Sequence, residues 1–247
     1  MNHNIVINGS KGKMGQAAKE AIQNDPTLTL SGCADKDDNL EKVIQESNTD
    51  IVVDLTHPSC VYDNINIILN NNCHAVVGTT GLTDDQYSEL EKIAQKNNKA
   101  LIICPNFAIS AILMMHFAKK AASFMDRCEI IEYHHDKKAD APSGTALKTA
   151  QLIHEEAPTI NNPPLNEDEL RSGARGATEK NIPIHAIRIP GVVANQEVIF
   201  GTQGQSLSIR HDTISREAFM PGLLLAIKAC TSRPGLTYGL ENILKLE

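Results

Sequence analysis

The sequence of 247 residues has no apolar run that approaches the roughly 18 to 20 residues of a membrane span. Its first residues, Met1-Asn2-His3-Asn4-Ile5, lack the basic region and the apolar run of a signal peptide, and we expect them to enter a strand at once. An excess of basic residues is also missing, since the net charge of −7 argues against bulk binding of nucleic acid. These absences predict a cytoplasmic chain without a membrane or nucleic-acid partner.

The Cys-x-x-Cys motif is absent as well, since none of the six cysteines lies three positions from another. Most lie inside apolar runs, which favours reduced core residues of a cytosolic protein over disulfides or zinc ligands. The nine histidines form no His-Glu-x-x-His motif. We therefore expect no metal site from local spacing, although ligands distant in the sequence stay open. The cysteines are Cys33, Cys60, Cys73, Cys104, Cys128 and Cys230.

The composition that remains is ordinary for a globular protein, with 41% hydrophobic and 21% charged residues. The length fits one large domain or two modest ones. Over the first hundred residues, apolar runs alternate with amphipathic segments of helix length, which predicts an α/β fold with a Rossmann-like, doubly wound parallel sheet. The predicted strands are 4–8, 28–34, 50–55, 75–78 and 100–104, and the predicted helices are 13–24, 59–71 and 83–97, the last with a capping box.

The pattern changes after about residue 107. Helices predicted at 110–124 and 143–157 enclose a strand at 129–133, and the polar segment 158–181 is typical of a long flexible loop. Three strands follow without helices between them, which favours a second α+β domain with an open mixed or antiparallel sheet. These strands are predicted at 184–189, 196–201 and 206–211. The helix 216–230 and the tail 236–246 are expected to return to the first domain, so the predicted domains are 1–107 with 214–247, and 108–213.

A glycine-rich turn follows the first predicted strand, with glycines at positions 9, 12 and 15. Glycines at this spacing let the backbone approach a pyrophosphate, and Asp35, at the end of the second strand, suits an adenosine ribose. The alternative is a turn needed only for close packing of strand against helix. Because Lys36 follows Asp35, with Lys11 or Lys13 nearby, we expect NADH and NADPH both to be usable. The predicted cofactor-binding residues here are Gly9, Ser10, Lys11, Gly12, Lys13, Met14, Asp35 and Lys36.

Two more segments lie at carboxyl ends of predicted parallel strands, Gly78-Thr79-Thr80-Gly81 after the fourth and Cys104-Pro105-Asn106-Phe107 after the fifth. Open α/β sheets bind ligands at this edge. Each segment is commonplace alone, since the first fits a simple turn and the second a strand end. Because they share an edge with the glycine turn, we predict that they form the walls for the nicotinamide half. The residues concerned are Gly78, Thr79, Thr80, Cys104, Pro105, Asn106 and Phe107.

The segment 129–147 is the most informative part of the chain, because it places two imidazoles and two ammonium groups between a strand and the start of a helix. Free N–H groups and the helix dipole favour an anion there, and imidazole suits proton transfer near neutral pH. Taken singly, the histidines fit a hydrated strand end, and the serine fits an ordinary N-cap. Together the like charges gain little stability, which favours an anion site. The side chains are His134, His135, Lys137 and Lys138, and the N–H groups are those of Ser143, Gly144 and Thr145.

With these motifs the chain resembles the 4-hydroxy-tetrahydrodipicolinate reductases, also called dihydrodipicolinate reductases, of bacterial lysine biosynthesis. The segment 129–147 is highly specific to that family, and the other motifs occur in family order over nearly the full length. They are residues 9–15, 78–81 and 105–107, with Phe200, Arg210, His211, Ser215, Arg216, Phe219 and Gly222. One departure is Ala194-Asn195-Gln196, where many members carry Gly-Glu-His, and it leaves the role of those positions open.

The resemblance implies a homotetramer of two-domain subunits, in which 1–107 with 214–247 binds the dinucleotide. The domain 108–213 would bind substrate and form tetramer contacts through its open sheet. The implied reaction delivers a hydride from a nicotinamide cofactor to a cyclic imine dicarboxylate derived from 4-hydroxy-tetrahydrodipicolinate, with loss of water. The resemblance assigns acid catalysis to His134 and Lys138, and it assigns substrate binding to His135, Gly144 and Thr145. A cofactor on one domain and a substrate on the other require closure before hydride transfer.

The residues suit this chemistry independently, because a dianion needs a cationic pocket and imine reduction needs a nearby acid. Two rival interpretations remain. One is another NAD(P)-dependent imine reductase or amino-acid dehydrogenase of the same domain plan, which a comparison of cyclic imines with 2-oxo acids would separate. The other is a nucleotide-sensing regulator without chemistry, and the intact set of His134, His135 and Lys138 speaks against it.

Overall fold

The computed structural model describes residues 2–166 and 168–246, and the chain folds into two compact units. Unit 1 consists of the described residues up to Ile109 together with those from Arg216 onward, and unit 2 is Ser110–Ser215. Each unit has a hydrophobic cluster of its own.

Strands and helices alternate through unit 1 and then give way to a strand-rich unit 2. The strands are β1 (His3–Asn8), β2 (Leu28–Ala34), β3 (Ile51–Asp54), β4 (His74–Val77), β5 (Ala100–Ile103), β6 (Arg127–His134), β7 (Ala177–Glu179), β8 (Ile182–Arg188), β9 (Ala194–Thr202), β10 (Gln205–Thr213) and β11 (Gly235–Tyr238). The helices are α1 (Lys13–Gln23), α2 (Leu40–Glu46), α3 (Val61–Asn70), α4 (Asp84–Lys96), α5 (Ile109–Ala122), α6 (Gly144–Glu156), α7 (Met220–Ala229) and α8 (Glu241–Leu244), with 3₁₀ turns at Arg216–Phe219 and Cys230–Ser232.

Unit 1 contains a parallel six-stranded sheet, which confirms the predicted doubly wound α/β plan. Its order is β11-β5-β4-β3-β1-β2, so the chain winds outward from β1 first to one side and then to the other. The strands β3 and β5 are buried along their whole length, as expected where helices cover both faces. The switch in direction lies between β1 and β3, at the edge where the glycine turn emerges.

The sequence missed two elements of unit 1. The C-terminal tail was expected to return to the first domain, and it does so by adding β11 to the sheet edge, with Leu236 opposite Leu101. Helix α2 has only seven residues, too few for a clear helical repeat, and Asn39 caps it by accepting a hydrogen bond from the Lys42 N–H. The capping box that opens α4 at Thr83 is confirmed.

The sheet of unit 2 is mixed, with the order β10-β9-β6-β8-β7. Strand β6 is parallel to β8 and antiparallel to β9, so it separates two strands that are consecutive in the chain. The consecutive strands β8, β9 and β10 therefore do not form a simple meander. The segment predicted to be all loop, 158–181, also contains β7, which pairs antiparallel with β8.

Strand β6 shows how the sheet is covered on one face. Its residues alternate between buried and partly exposed, with Cys128, Ile130 and Glu132 on the buried side. The apolar cluster on that side includes residues of both α5 and α6, among them Ala118 and Ala150. On the opposite face of β6, side chains such as Ile131 and Tyr133 are partly exposed.

All six cysteines are free thiols, and four of them are buried. The buried ones are Cys73, Cys104, Cys128 and Cys230. Within the part of the chain that the structure describes, no helix combines the length and the apolar character needed to cross a membrane.

Candidate functional site: a glycine cradle and an anion-binding helix start

Glycine is required at two positions of the turn between β1 and α1. Gly9 has a φ of +84°, and a Cβ there would lie 2.5 Å from the Leu55 carbonyl oxygen. A Cβ on Gly15 would lie 2.3 Å from the Gly9 carbonyl oxygen, so the first turn of α1 packs directly on the glycine turn. Gly12 is the N-cap of α1, and no acidic residue lies in the first turn. This helix start is therefore open to a phosphate group.

Asp35 lies beside this turn, at the end of β2, where the sequence places it. Its carboxylate accepts hydrogen bonds from the backbone N–H groups of Lys11, at 2.8 Å, and Lys36, at 2.9 Å. These N–H groups hold the pKa of Asp35 below its usual range. The carboxylate therefore stays ionised and ties the glycine turn to the end of β2.

Two concavities follow the carboxyl edge of the parallel sheet. The first has a volume of about 410 Å³ and is lined in part by Gly9, Gly12, Asp35 and Lys36. The second, of about 280 Å³, is lined by Met14, Gly78, Thr79, Pro105, Asn106 and Phe107 among others. Leu55 and Thr56 line both, so the two concavities adjoin and together make up the cleft of unit 1.

The remaining residues predicted for this region lie differently. Lys11, Lys13 and Thr80 are exposed, whereas Ser10 is buried. Cys104 is 0% exposed, so its side chain belongs to the core and not to the cleft wall. Burial raises the pKa of its thiol to about 12.

Asp54, at the end of β3, is a residue that the sequence reasoning missed. Its side chain is 0% exposed and accepts hydrogen bonds from Asn8, Asn64 and Thr79 at 2.8 to 3.1 Å. It also accepts one from the Thr56 hydroxyl, at 2.7 Å. These donors come from the ends of β1 and β4 and from α3, so Asp54 fixes the floor of the cleft. The mostly apolar composition of β3 gave the only hint that an acid there would be buried.

A second buried acid organises the other candidate region, in unit 2. Glu132 of β6 is 0% exposed, and its carboxylate lies 2.5 Å from Nδ1 of His134. Both terminal nitrogens of Arg188 donate to it, each at 2.8 Å, and the Ser143 N–H donates at 3.0 Å. Sequence reasoning missed Glu132 and Arg188. The period of two along β6 could have shown that Glu132 shares a face with Ile130.

The charges around His134 act in opposite directions. Burial lowers the pKa of His134 below its usual value, the carboxylate of Glu132 opposes that shift, and Lys138 and Arg188 add to it. Burial alone would raise the pKa of Glu132, but the hydrogen bonds from Arg188 and His134 more than offset it. The surroundings therefore favour the neutral form of the His134 imidazole and the ionised form of the Glu132 carboxylate.

The start of α6 corrects one prediction. The N–H group of Ser143 was expected to be free for an anion, but it is used inside the protein, as a donor to Glu132. Ser143 does cap the helix, because its hydroxyl accepts from the Ala146 N–H. Gly144 and Thr145 hold the first two helical positions, where N–H groups have no intrahelical acceptor. A Cβ on Gly144 would meet no described heavy atom within 4 Å, so the space in front of it is open.

His135 and Lys138, the other predicted side chains of this segment, differ in their contacts. Nδ1 of His135 is buried and has no hydrogen-bond partner among the described residues. The ammonium group of Lys138 contacts both carboxylate oxygens of Asp140, at 2.8 and 2.7 Å. The cluster is therefore less cationic than the sequence alone suggests, because Asp140 offsets one of its charges.

Gln196, in the segment that departs from the family pattern, has a structural contact. It is 3% exposed, and its amide nitrogen donates to the Thr149 hydroxyl at 2.7 Å. That hydroxyl donates in turn to the carbonyl of Thr145, also at 2.7 Å. The pair ties β9 to the first turn of α6 and so supports the helix start.

No group of three or more His, Cys, Asp or Glu side chains is placed to hold a metal ion in residues 2–166 and 168–246.

The glycine turn of residues 9–15, here called the glycine cradle, lies at the switch point of the doubly wound sheet. This combination defines the class of Rossmann-type dinucleotide-binding proteins. Family models described as "Dihydrodipicolinate reductase, N-terminus" and "Dihydrodipicolinate reductase, C-terminus" match residues 3–107 and 110–244. The chain therefore belongs to the dihydrodipicolinate reductase family.

Similar proteins agree with this membership. A "4-hydroxy-tetrahydrodipicolinate reductase" of Mycobacterium marinum is 48% identical over 244 residues, which cover 98% of this chain and 99% of that protein. One of Mycobacterium ulcerans has the same identity and coverage. A solved structure, "Dipicolinate bound Dihydrodipicolinate reductase from Paenisporosarcina sp. TG-14", has a TM-score of 0.90 at 40% identity and covers 98% of this chain and 100% of its own.

Proposed function

We propose that this protein catalyses the NAD(P)H-dependent reduction of 4-hydroxy-tetrahydrodipicolinate to tetrahydrodipicolinate, with loss of water, in diaminopimelate and lysine biosynthesis. The family models match both units, and relatives that bear the reductase name align over nearly the whole chain. We assign dinucleotide binding to unit 1, which contains the glycine cradle. We assign substrate binding to unit 2, which contains His134 and the start of α6.

One observation carries the proposal. His134 is held by a buried carboxylate that also binds the backbone at the start of α6, and a Cβ on Gly144, the first residue of that helix, would meet no described heavy atom within 4 Å. The imidazole of His134, the proposed proton donor, and the start of α6, the proposed anion site, are therefore both held by Glu132. A doubly negative cyclic substrate needs both features at once.

The residues take separate roles in this proposal. His134 gives a proton to the nitrogen or adjacent carbon that hydride addition leaves electron-rich, and Lys138 assists. The N–H groups of Gly144 and Thr145 bind one carboxylate of the substrate, together with His135. The unpartnered Nδ1 of His135 supports this assignment, because a buried polar atom without a partner is costly unless a ligand satisfies it.

The cleft of unit 1 suits a dinucleotide, because Gly9 packs against the Leu55 carbonyl and Gly15 against the Gly9 carbonyl. The turn therefore carries no side chain at these positions that would keep a pyrophosphate away from the backbone. A nicotinamide cofactor bound there supplies the hydride. Gly12 and the first turn of α1 hold its phosphates, and Met14, Thr79 and Phe107 line the inner end of the cleft. Asp54 keeps that end in shape through its contacts with Asn8 and Thr79.

Both NADH and NADPH are proposed to serve as cofactor. Asp35 is ionised, which suits the ribose hydroxyls of NADH and repels a 2′-phosphate. The exposed Lys36 and Lys11 flank the same carboxylate and offset that repulsion.

The test is the loss of reduced-cofactor absorbance with freshly prepared substrate, measured with NADH and with NADPH. The expected result is rapid oxidation of either cofactor that depends on the cyclic substrate. Reactions with 2-oxo acids and ammonia provide the comparison. Oxidation with the 2-oxo acids alone would favour an amino-acid dehydrogenase of the same domain plan, and no oxidation with any substrate would contradict the proposal.

We also propose a homotetramer that assembles through the open face of the unit 2 sheet. Ile131, Tyr133 and Ile199 lie on that face and are only partly buried, and Arg210 stacks over the Tyr133 ring at 5.2 Å. Light scattering on the purified protein should give four times the chain mass of 26.9 kDa, and a monomer would contradict the assembly.

Six unpaired thiols support a cytoplasmic location, which cell fractionation would test.

A further inference from the structure

Glu132 has more hydrogen-bonding partners than a structural ion pair requires. A carboxylate with no exposed surface is costly unless it is fully paired, and the two contacts from Arg188 already neutralise it in a bidentate arrangement. Two further donors converge on the same oxygens, His134 at 2.5 Å and the Ser143 N–H at 3.0 Å. These two belong to the groups that the proposed function uses.

The carboxylate determines which nitrogen of His134 carries a proton. An ionised carboxylate only accepts hydrogen bonds, so Nδ1 must be protonated at 2.5 Å from it. The other nitrogen, Nε2, is then the one that exchanges a proton with a ligand. The contact with Ser143 holds the start of α6 at a fixed place relative to this imidazole.

We propose that Glu132 is a positioning residue that sets the tautomer and orientation of His134 and aligns the start of α6 with it. This inference rests on the proposed function. Arg188 makes the arrangement possible, because its charge cancels that of Glu132 and keeps the imidazole from being trapped as a cation. The charged groups that face His134 are Glu132, Arg188 and Lys138, the last paired with Asp140.

Replacement by an amide gives the sharpest variant. In Glu132→Gln the negative charge is lost, and an NH₂ group replaces one of the two oxygens that now accept from His134, Arg188 and the Ser143 N–H. The doubly protonated, acidic form of the imidazole would therefore lose the carboxylate that stabilises it. The expected result is a fall in kcat of roughly 100- to 1,000-fold, with KM for the cofactor unchanged. The alkaline limb of the pH profile of kcat should move to lower pH, and Glu132→Asp should restore part of the activity.

Glu129→Gln provides a matched control. Glu129 lies on the same strand but on its other face, and its carboxylate also pairs with a histidine, His185, and an arginine, Arg175. This variant should keep wild-type kcat and its pH profile, provided that light scattering shows the same mass. If Glu132→Gln also keeps both, or if the two variants lose activity equally at equal mass, the positioning role is wrong.

A measurement on the wild-type protein covers the case in which Glu132→Gln does not fold. Nitrogen NMR of the histidines should show His134 in the neutral form with the proton on Nδ1. A proton on Nε2 alone would overturn the inference whatever the enzyme catalyses. Conversely, absence of reductase activity in the wild type would contradict the proposed function and leave the NMR result to decide on Glu132.

Discussion

The ammonium group of Lys138 is paired with the carboxylate of Asp140, two residues further along the chain, at 2.8 and 2.7 Å. Lys138 is 21% exposed and Asp140 is 65% exposed, so water screens the pair. The hydrogen bond from Lys138 lowers the pKa of Asp140, which keeps the carboxylate ionised at neutral pH. A dianionic substrate that binds Lys138 must therefore compete with Asp140.

Asp140→Asn should strengthen binding of dipicolinate, because it frees Lys138 and removes one negative charge. The expected gain is roughly two- to fivefold, in line with the small free energy of exposed ion pairs. Titration calorimetry at low and moderate salt would measure it, with a smaller gain at higher salt. Asp136→Asn removes the same charge from the same segment and should change affinity less. Equal effects in the two variants would mean that only net charge matters.

His134→Gln and Lys138→Ala should each lower turnover by about 100- to 10,000-fold, the usual range for loss of general acid catalysis. Cofactor affinity should stay nearly unchanged, since neither residue belongs to the glycine cradle. Steady-state kinetics together with a fluorescence titration of NADH would separate the two quantities. A variant that keeps near-wild-type turnover would show that its assigned role is wrong.

The pH dependence follows from the direction of the pKa shift of His134. Burial lowers that pKa below its usual 6.5, and the proton donor must be the protonated form. As pH rises through the lowered pKa, kcat/KM should therefore fall, and the midpoint of this limb should lie below pH 6.5. Lys138→Ala should move the midpoint upward, because Lys138 is one of the cations that lower the pKa. A limb that persists unchanged in His134→Gln would assign it to another group.

Gly15→Ala should weaken cofactor binding by roughly tenfold or more, because the new Cβ would lie 2.3 Å from the Gly9 carbonyl oxygen and the turn would have to move. Gly201→Ala is the matched control, since a Cβ there meets nothing within 4 Å among the described residues. Fluorescence titration with NADH would compare the two variants. Equal affinities would mean that the cradle does not bind the cofactor.

The sequence predicted what local pattern determines. Local sequence was enough to predict the strand–helix alternation, the glycine cradle and the acid at Asp35. Each depends on residues that are close together in the sequence. The positions of β7 and β11 were missed, since each is a short strand whose stability comes from pairing with a strand distant in the sequence.

The candidate site was predicted in part for the same reason. His134, Lys138 and the start of α6 lie within one segment, so their spacing could be interpreted directly. Arg188 is 56 residues from Glu132, and only the pairing of β6 with β8 brings the two together. The use of the Ser143 N–H by Glu132 could not be inferred either, because it depends on how α6 packs against β6.

A crystal structure of the protein with NADH and dipicolinate tests the central claim most directly. The account predicts one carboxylate of dipicolinate on the N–H groups of Gly144 and Thr145, with His134 and Lys138 within hydrogen-bonding distance of the ligand, and the dinucleotide phosphates on the turn at Gly9–Gly15. Dipicolinate bound elsewhere on the molecule, or a glycine turn that holds no dinucleotide, would contradict it.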